Sequence, residues 1–343
     1  MFGYGGAGMA VKDEVLRMLE AHRGEALSGE SVAERLSVSR ASVWKAVRAL
    51  REEGHKIGAS TRRGYRMEPD SDVLSEEGIR ACLSEGSPVR GVVCLASVDS
   101  TNTYAKGLAL SGGAHGTLVT ADRQTAGRGR RGRSFFSPPG TGLYMSLILR
   151  PHIELERFQT VTIAAAVAVC RTIESLTCRR PRIKWVNDIY LEETNGLDGA
   201  DGEARKICGI LTEAVSDVES GAIESVVVGI GLNVSTRDFA PDLARVAGSL
   251  FPGSVSRNRL AAGIAERLLD CQERLGDPEL IREYRDRSLL LGREVCFIRD
   301  GAECRGVALD IDAQGCLLLR EEGGTVVTLR SGEVYQVRPV RRH

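Results

Sequence analysis

Lysine is scarce in this chain: six lysines stand against 40 arginines in 343 residues. Net charge is absent too, with 46 basic and 46 acidic side chains. The whole molecule is therefore no general polyanion binder, and any nucleic-acid surface must be local. No apolar run reaches the roughly 18 residues of a membrane helix; the longest, Val161 to Cys170, is interrupted by Thr162. The opening MFGYGGAGMA has neither a basic nor an apolar segment, so no signal peptide is expected, and Met9 offers a second start. Nine cysteines form no C-x-x-C pair and read as reduced thiols of a cytoplasmic protein. Five scattered histidines without H-E-x-x-H give no expectation of a metal site built from protein ligands. Gly-Lys never occurs, which excludes a Walker A loop.

With 42% hydrophobic and 27% charged residues, the chain has the composition of a globular protein of two or three domains. Residues 11–67 read as a small N-terminal domain. Val11, Val15, Leu16, Met18 and Leu19 make a helical stripe that Gly24 ends. Ser28 or Ser31 opens a short second helix, and Ser39 caps a third with Val43, Trp44, Val47 and Leu50 on one face. A hairpin with Gly58 and Gly64 as turn residues follows. Three helices and a hairpin predict a winged helix-turn-helix. Between Leu36 and Met67, eight basic residues face two acids, Glu52 and Glu53. That surplus falls on the recognition helix and wing, so Ser39, Arg40, Lys45, Arg48, Arg62 and Arg63 are the expected DNA contacts. The alternative is a solvated face in a dimerisation module.

Residues 74–288 read as a mixed α/β domain without regular βαβ alternation. Strands are expected at Val92–Val98, Thr117–Ala121, Leu143–Leu149, Arg182–Trp185, Ile207–Thr212 and Ser225–Asn233. Helices are expected at Thr103–Leu110, Leu155–Ser175, Arg257–Leu275 and Pro278–Ser288. The acidic, Gly-rich stretch 191–205 reads as a surface insertion. Residues 289–341 alternate in short runs broken by RDG, AQG and EEGG, the pattern of a small SH3-like β-barrel. The fold class is thus multidomain α+β.

GRGRRGR, residues 127–133, contains a literal G-x-G-x-x-G. A dinucleotide fingerprint needs a helix after it. Here SFFSPPGTG follows, and Pro138 and Pro139 forbid one. What remains is four arginines, Arg128, Arg130, Arg131 and Arg133, spaced by glycines. Such a loop repels itself when free and is ordered by a multiply charged anion; an RNA- or DNA-binding loop is the alternative. DSTN (99–102) supplies short donors and acceptors, or simply a cap through Thr101 or Asn102. IKWVNDIY (183–190) places a rare lysine, Lys184, inside an apolar strand. KICGIL (206–211) and VVVGIGLNV (226–234) bring glycines into strands, where they permit close approach.

In that order, D-S-T-N, Q-x-A-G-R-G-R-R-G-R, K-W-x-N-D, K-x-x-G-I-L and G-I-G-x-N, the chain resembles the biotin–protein ligases. With its winged helix it is similar to those that also repress the biotin operon. The likeness runs from about Lys12 to Arg338. Three features depart from the family: Val186 where Pro is usual, a longer 191–205 insertion, and GEVYQVR one residue longer than the common pattern.

The resemblance implies ATP-dependent formation of biotinyl-adenylate and transfer of biotin to a lysine of the biotin carboxyl carrier protein of an acyl-CoA carboxylase. It also implies Mg²⁺ arriving with ATP, operator DNA as a partner, and a homodimer when the adenylate is bound. Lys184 is implied to bridge carboxylate and α-phosphate, with Arg128 and Arg130 closing over both. Ser100, Thr101, Asn102, Gln124, Gly127, Arg128, Gly129, Arg130, Lys184, Gly209 and Trp185, the last as an apolar wall, are implied for biotin. Trp185 as a plain core residue is the alternative. Arg128, Arg130, Arg131, Arg133, Lys184, Asn187 and Asn233 are implied for ATP, and Asp188 for orienting Lys184 or placing Mg²⁺; Phe135 and Phe136, by their position just beyond the loop, are expected to fold over biotin. Two other functions compete: a ligand-sensing repressor without ligase activity, and a lipoate- or octanoate-type ligase on the same fold.

Overall fold

The computed structural model describes residues 11–60, 63–151, 153, 157–192, 204–216, 223–250, 255–299, 302–330, 332 and 334–336. Arg62, Arg338, residues 1–10 and residues 193–203 of the insertion lie outside that set. The chain forms two compact units; the first runs to Ser87 and takes in the first turns of the helix that begins at Arg257.

Unit one contains helices α1 (Val11–Ala21), α2 (Gly29–Arg35) and α3 (Arg40–Glu52), strands β1 (Ile57–Ser60) and β2 (Gly64–Met67), and helix α4 (Glu76–Cys82). Ser28 and Ser39 accept from the backbone N–H groups of Glu30 and Ser42, capping α2 and α3 as expected. Gly24 and Gly54, at φ +86° and +97°, follow α1 and α3. The wing departs from expectation at Gly58, which sits within β1 opposite Arg66 and makes no turn. Gly64 (φ +88°) is the constrained position, because a Cβ there would lie 2.0 Å from the Leu27 carbonyl oxygen.

The core draws on Val15, Leu19, Val32, Val43, Val47, Leu50 and Met67. Trp44 is not part of it, contrary to the sequence reading, and is 53% exposed. Val43, Ala46, Val47 and Leu50 fill the buried stripe at helical spacing. That turns position 44 outward, onto the face of Arg40, Lys45 and Arg48. The Arg48 guanidinium carbon stands 5.8 Å from the indole centroid. Helix α4, capped by Ser75, had no clear sequence signal.

Unit two contains β3 (Gly91–Leu95), α5 (Thr101–Leu110), β4 (Thr117–Ala121), β5 (Gly142–Leu149), α6 (Phe158–Leu176), β6 (Arg182–Lys184), β7 (Asp188–Glu192), β8 (Ala204–Ser216) and β9 (Ile223–Asn233). Helices α7 (Arg257–Glu273, shared with unit one) and α8 (Pro278–Asp286) follow. Seven strands pair in the order β3-β4-β5-β9-β8-β7-β6, parallel only between β3 and β4. Strand β7 is additional to the expected set, and β8 is longer than expected.

Alternation gives this sheet two unlike faces. Thr212 of β8 hydrogen-bonds Thr162 of α6 (2.8 Å), so α6 covers the face of Ile210, Thr212, Val228 and Ile230. Asn102 of α5 lies against Gly229, so α5 sits on the other face, with Gly209, Leu211, Glu213 and Gly231. The C-terminal strands β10 (Glu294–Arg299), β11 (Ala302–Ile311), β12 (Leu317–Glu321), β13 (Val326–Leu329) and β14 (Val334–Gln336) form an antiparallel sheet in the order β13-β12-β11-β10-β14. Pairing of β13 with β14, which would close a barrel, is not among the described contacts.

His55, between α3 and β1, is 4% exposed and its buried Nδ1 has no hydrogen-bond partner. Burial lowers its pKa from 6.5 to about 4. Because the folded pKa is depressed, the native state binds fewer protons than the unfolded one between those values. Stability is complete above pH 6.5 and declines as pH falls towards 4, by roughly 3 kcal/mol. Amide protection factors of α1 and α3 in the full chain, corrected for the intrinsic pH dependence of exchange, are expected to fall over that window. His55→Leu should flatten the response, and an equally steep response in that variant would refute the assignment.

Candidate active site

The arginine loop between β4 and β5 carries its own hydrogen bonds. Gly129 N–H donates to Arg133 O (2.6 Å) and Phe135 N–H to Gly127 O (2.9 Å). Arg130–Gly132 form one 3₁₀ turn, with Arg131 and Gly132 at φ 55° and 73°. No α-helix follows, which removes the dinucleotide reading. The loop is also tethered: Arg130 Nη1 donates to Asn187 Oδ1 (3.2 Å), while Asn187 Nδ2 donates to Ile210 O (2.8 Å).

Beyond the loop, the Phe135 ring lies on the α5 face of the sheet. A Cβ on Gly231 would come within 2.6 Å of it and one on Gly209 within 3.5 Å. Tyr144 meets the ring edge-on at 6.4 Å. The strand glycines do permit close approach, and what approaches is this phenyl ring. Phe136 turns aside to pair with Phe239, 6.1 Å between centroids.

Lys184 and Asp188 are cross-strand partners on that same face. The Lys184 ammonium stands 5.8 Å from the Tyr190 ring centroid. The Asp188 carboxylate, expected to orient Lys184, pairs instead with Lys206 Nζ at 2.7 Å. Lys206 is the residue the sequence reading missed. Simple alternation puts it on the opposite face from Gly209. The β7–β8 register, however, passes from Ile189↔Cys208 to Tyr190↔Lys206 and skips Ile207. This bulge turns Lys206 onto the site face. Its Nζ lies 3.3 Å from where a Gly209 Cβ would be.

At the other end is a polar cluster. Ser100 occupies the α5 N-cap position without a side-chain cap bond, so Thr101 and Asn102 lie in the first turn of the helix and do not cap it. Thr101 N–H donates to Gln124 Oε1 (2.9 Å). Gln124 Nε2 donates to Ser137 Oγ (3.0 Å), whose hydroxyl donates to Phe135 O (2.9 Å). Asn102 Nδ2 donates to Glu213 Oε2 (2.7 Å) and Leu211 O (3.1 Å). Ser146, Lys106 and Glu213 are further members of this cluster that the sequence reading did not single out. Asn233 Nδ2 donates to Gly248 O (3.1 Å), while its buried Oδ1 has no hydrogen-bond partner.

Trp185 takes the core role and not that of a pocket wall. It is 4% exposed, and its Nε1 donates to Gly315 O (2.9 Å). The turn it begins is held by Tyr284, whose hydroxyl donates to Val186 O (2.9 Å). Cys208, next to Gly209, is also buried, which pushes its thiol far above the ordinary range and removes it as a nucleophile. The chemistry left to this face is charge neutralisation by Lys184, Lys206 and the arginine loop.

Residues 94–233 match the Biotin/lipoate A/B protein ligase family, 12–66 an HTH domain, and 290–335 the Biotin protein ligase C terminal domain. The chain is 34% identical over 323 residues to the bifunctional ligase/repressor BirA of Bacillus subtilis, spanning 92% of this chain and 95% of that protein. The chain belongs to the biotin protein ligase family. The Escherichia coli bifunctional ligase/repressor BirA is 30% identical, over 90% of this chain and 95% of its own. A biotin protein ligase from Aquifex aeolicus, in complex with biotin and ATP, superposes with a TM-score of 0.60 at 27% identity, covering 73% of this chain and all of that one. The ligase fold thus includes the sheet, the loop and the C-terminal strands described above.

The polar cluster of this ligase depends on Gly229, where a Cβ would stand 2.1 Å from Asn102 Oδ1. Gly229→Ala is expected to displace Asn102 and cost about 1–3 kcal/mol, read as a lowered thermal midpoint. An unchanged midpoint would contradict this packing.

Proposed function

We propose that this chain activates biotin with ATP and passes it to a lysine of a biotin carboxyl carrier protein, and that its N-terminal unit binds operator DNA as a repressor of biotin genes. The proposed domains are 11–67 for DNA, 74–288 for catalysis and 289–341 at the C-terminus. The observation that carries the reading is the gathering of Lys184, Lys206 and the arginine loop on one face of a glycine-bearing sheet.

In the first step a biotin carboxylate oxygen attacks the α-phosphorus, the P–O bond to the β-phosphate breaks, and pyrophosphate leaves. Two anions must meet, so the need is for cations already in place. Lys206, set by Asp188 beside Gly209, is the better-placed bridge between carboxylate and α-phosphate. Lys184, on the edge strand β6 beyond β7, supports the phosphates. Arg128 and Arg130 close over the anhydride, with Arg131 and Arg133 towards the pyrophosphate. The closed loop keeps water from the mixed anhydride until an acceptor lysine attacks it and AMP departs. Ser100, Thr101 and Gln124, with backbone groups of Gly127, Arg128 and Gly129, hold the ureido ring. Asn233 Oδ1 offers an acceptor to the adenine amine, and Asn187 fixes Arg130. Mg²⁺ would arrive bound to the ATP phosphates and help neutralise them.

Pyrophosphate release with biotin, lipoate or octanoate as the only acid tests the reading, and biotin alone is expected to serve. Release with lipoate or octanoate only would favour the related acyl ligase, and none with any acid the sensing repressor. Lys206→Ala is expected to slow release by about a hundred-fold and Lys184→Ala by less. Wild-type rates in Lys206→Ala would overturn its role.

For DNA, α3 presents Arg40, Lys45 and Arg48 on one exposed face with Trp44 among them, while Ser39 caps the helix and Arg63 is exposed on the wing. Arg48 also pairs with Glu52 at 3.0 Å. The dimer formed with the adenylate would set two such helices on one duplex. Affinity for the protein's own promoter should fall steeply with salt. Charge reversal at Arg40 and Arg48 is expected to lower the salt slope by about one for each phosphate no longer neutralised. Binding unaffected by both reversals would leave only the dimerisation reading.

A further inference from the structure

Trp44 is out of keeping with the rest of α3. A large, mostly apolar side chain of a kind usually sheltered from water is 53% exposed here. It stands one helical turn from Arg40 and one from Arg48, in the same row of the helix, with Lys45 beside it. Arg40, Ala41, Lys45 and Arg48 are exposed with it. Three cations around one neutral ring suit a polyanion that carries something apolar between its charges. An apolar partner protein would not call for the cations, and a plain phosphate surface would not call for the ring.

The chemistry of the ring narrows the partner further. Indole offers an apolar body and one N–H donor, and it has no acceptor. Among the described residues that N–H has no hydrogen-bond partner, and what approaches the ring is the Arg48 guanidinium, 5.8 Å from its centroid. Of the bases that a helix meets in the major groove, thymine alone sets an apolar group, its C5 methyl, beside an acceptor, O4. Cytosine presents a donor there, which would oppose the indole N–H, and the purines present no methyl.

The place on the helix agrees. A recognition helix reaches base edges with its N-terminal residues, and Trp44 is the fifth of the 13 residues of α3. Ala41, three residues earlier, is short enough to let a base edge approach. Arg48 is held between the ring and Glu52, whose Oε1 stands 3.0 Å from Arg48 Nε, so the ring is steadied before DNA arrives.

We infer that Trp44 is a specificity-determining residue that reads a thymine of the operator through its methyl group and O4. This rests on the operator-DNA reading above. The contact is neutral and displaces no counterion, so it adds affinity for one sequence without adding to the salt dependence. That separates it from the contacts of Arg40, Lys45 and Arg48.

Titration of the full chain, with biotin and ATP present, onto a labelled duplex from its own promoter tests this. Trp44→Ala changes an exposed side chain and should leave the thermal midpoint unmoved. It is expected to lower operator affinity about ten-fold, and affinity for an unrelated duplex of equal length by less than about two-fold. The slope of log affinity against log salt should stay at its wild-type value. Replacing operator thymines one at a time by uracil removes only the methyl. One such position should weaken the wild type about five-fold and Trp44→Ala not at all. Trp44→Phe, which keeps a ring beside Arg48, should still respond to that methyl. Wild-type operator affinity in Trp44→Ala would overturn the inference. So would equal losses on both duplexes, a reduced salt slope, or the lack of any thymine methyl that matters to the wild type and not to Trp44→Ala. If the wild type bound its promoter no better than the unrelated duplex, the operator reading would fail, and this inference with it.

Discussion

A β-sheet has two faces, and the central unit depends on keeping them chemically distinct. One face of β8 and β9, carrying Ile210, Val228 and Ile230, lies under the nearly all-buried helix α6. The other carries Gly209, Gly231, Asn233 and Glu213, and receives α5 and Phe135. Because side chains alternate strictly, polar groups fall on the site face without interrupting the apolar layer beneath. A break in that alternation beside the site, the bulge at Ile207, places a second lysine among them.

The two basic residue types make different contacts. Arginine serves where a fork can reach planar acceptors, as in Arg150 to the Gly113 and Ala109 carbonyls or Arg171 to Glu283. Among the described pairs, Lys12 meets Glu53, Lys56 meets Asp70, Lys106 meets Glu213 and Lys206 meets Asp188. Lys206 and Lys184 are the two on the glycine-bearing face of the sheet, where a compact ammonium on a flexible stem can follow a moving anionic charge.

Much of the local structure was legible because local chemistry decides it. Ser28 and Ser39 are caps wherever an apolar stripe follows them, and Thr117–Ala121 is a strand because it is apolar and bounded by turns. The phase of α3 was not legible at Trp44. Tryptophan matches either face by hydrophobicity, and only packing of Val43, Ala46, Val47 and Leu50 against α1 and α2 turned it outward. Trp185 carried the same ambiguity, and the Gly315 carbonyl resolved it inward.

By itself the sequence pointed to candidates for the chemistry: the arginine loop, Lys184, the strand glycines and the short polar side chains of DSTN. It also determined the order of helices and strands that carries them, because capping, alternation and the proline pair act within a few residues of chain. Only the tertiary structure decided which of these groups meet. Lys206 joins Asp188 through a bulge whose register depends on pairing between strands. Glu213 reaches Asn102 across 111 positions, because β8 lies beneath α5. Contacts of that kind are set by packing between distant elements, and spacing along the chain carries no record of them.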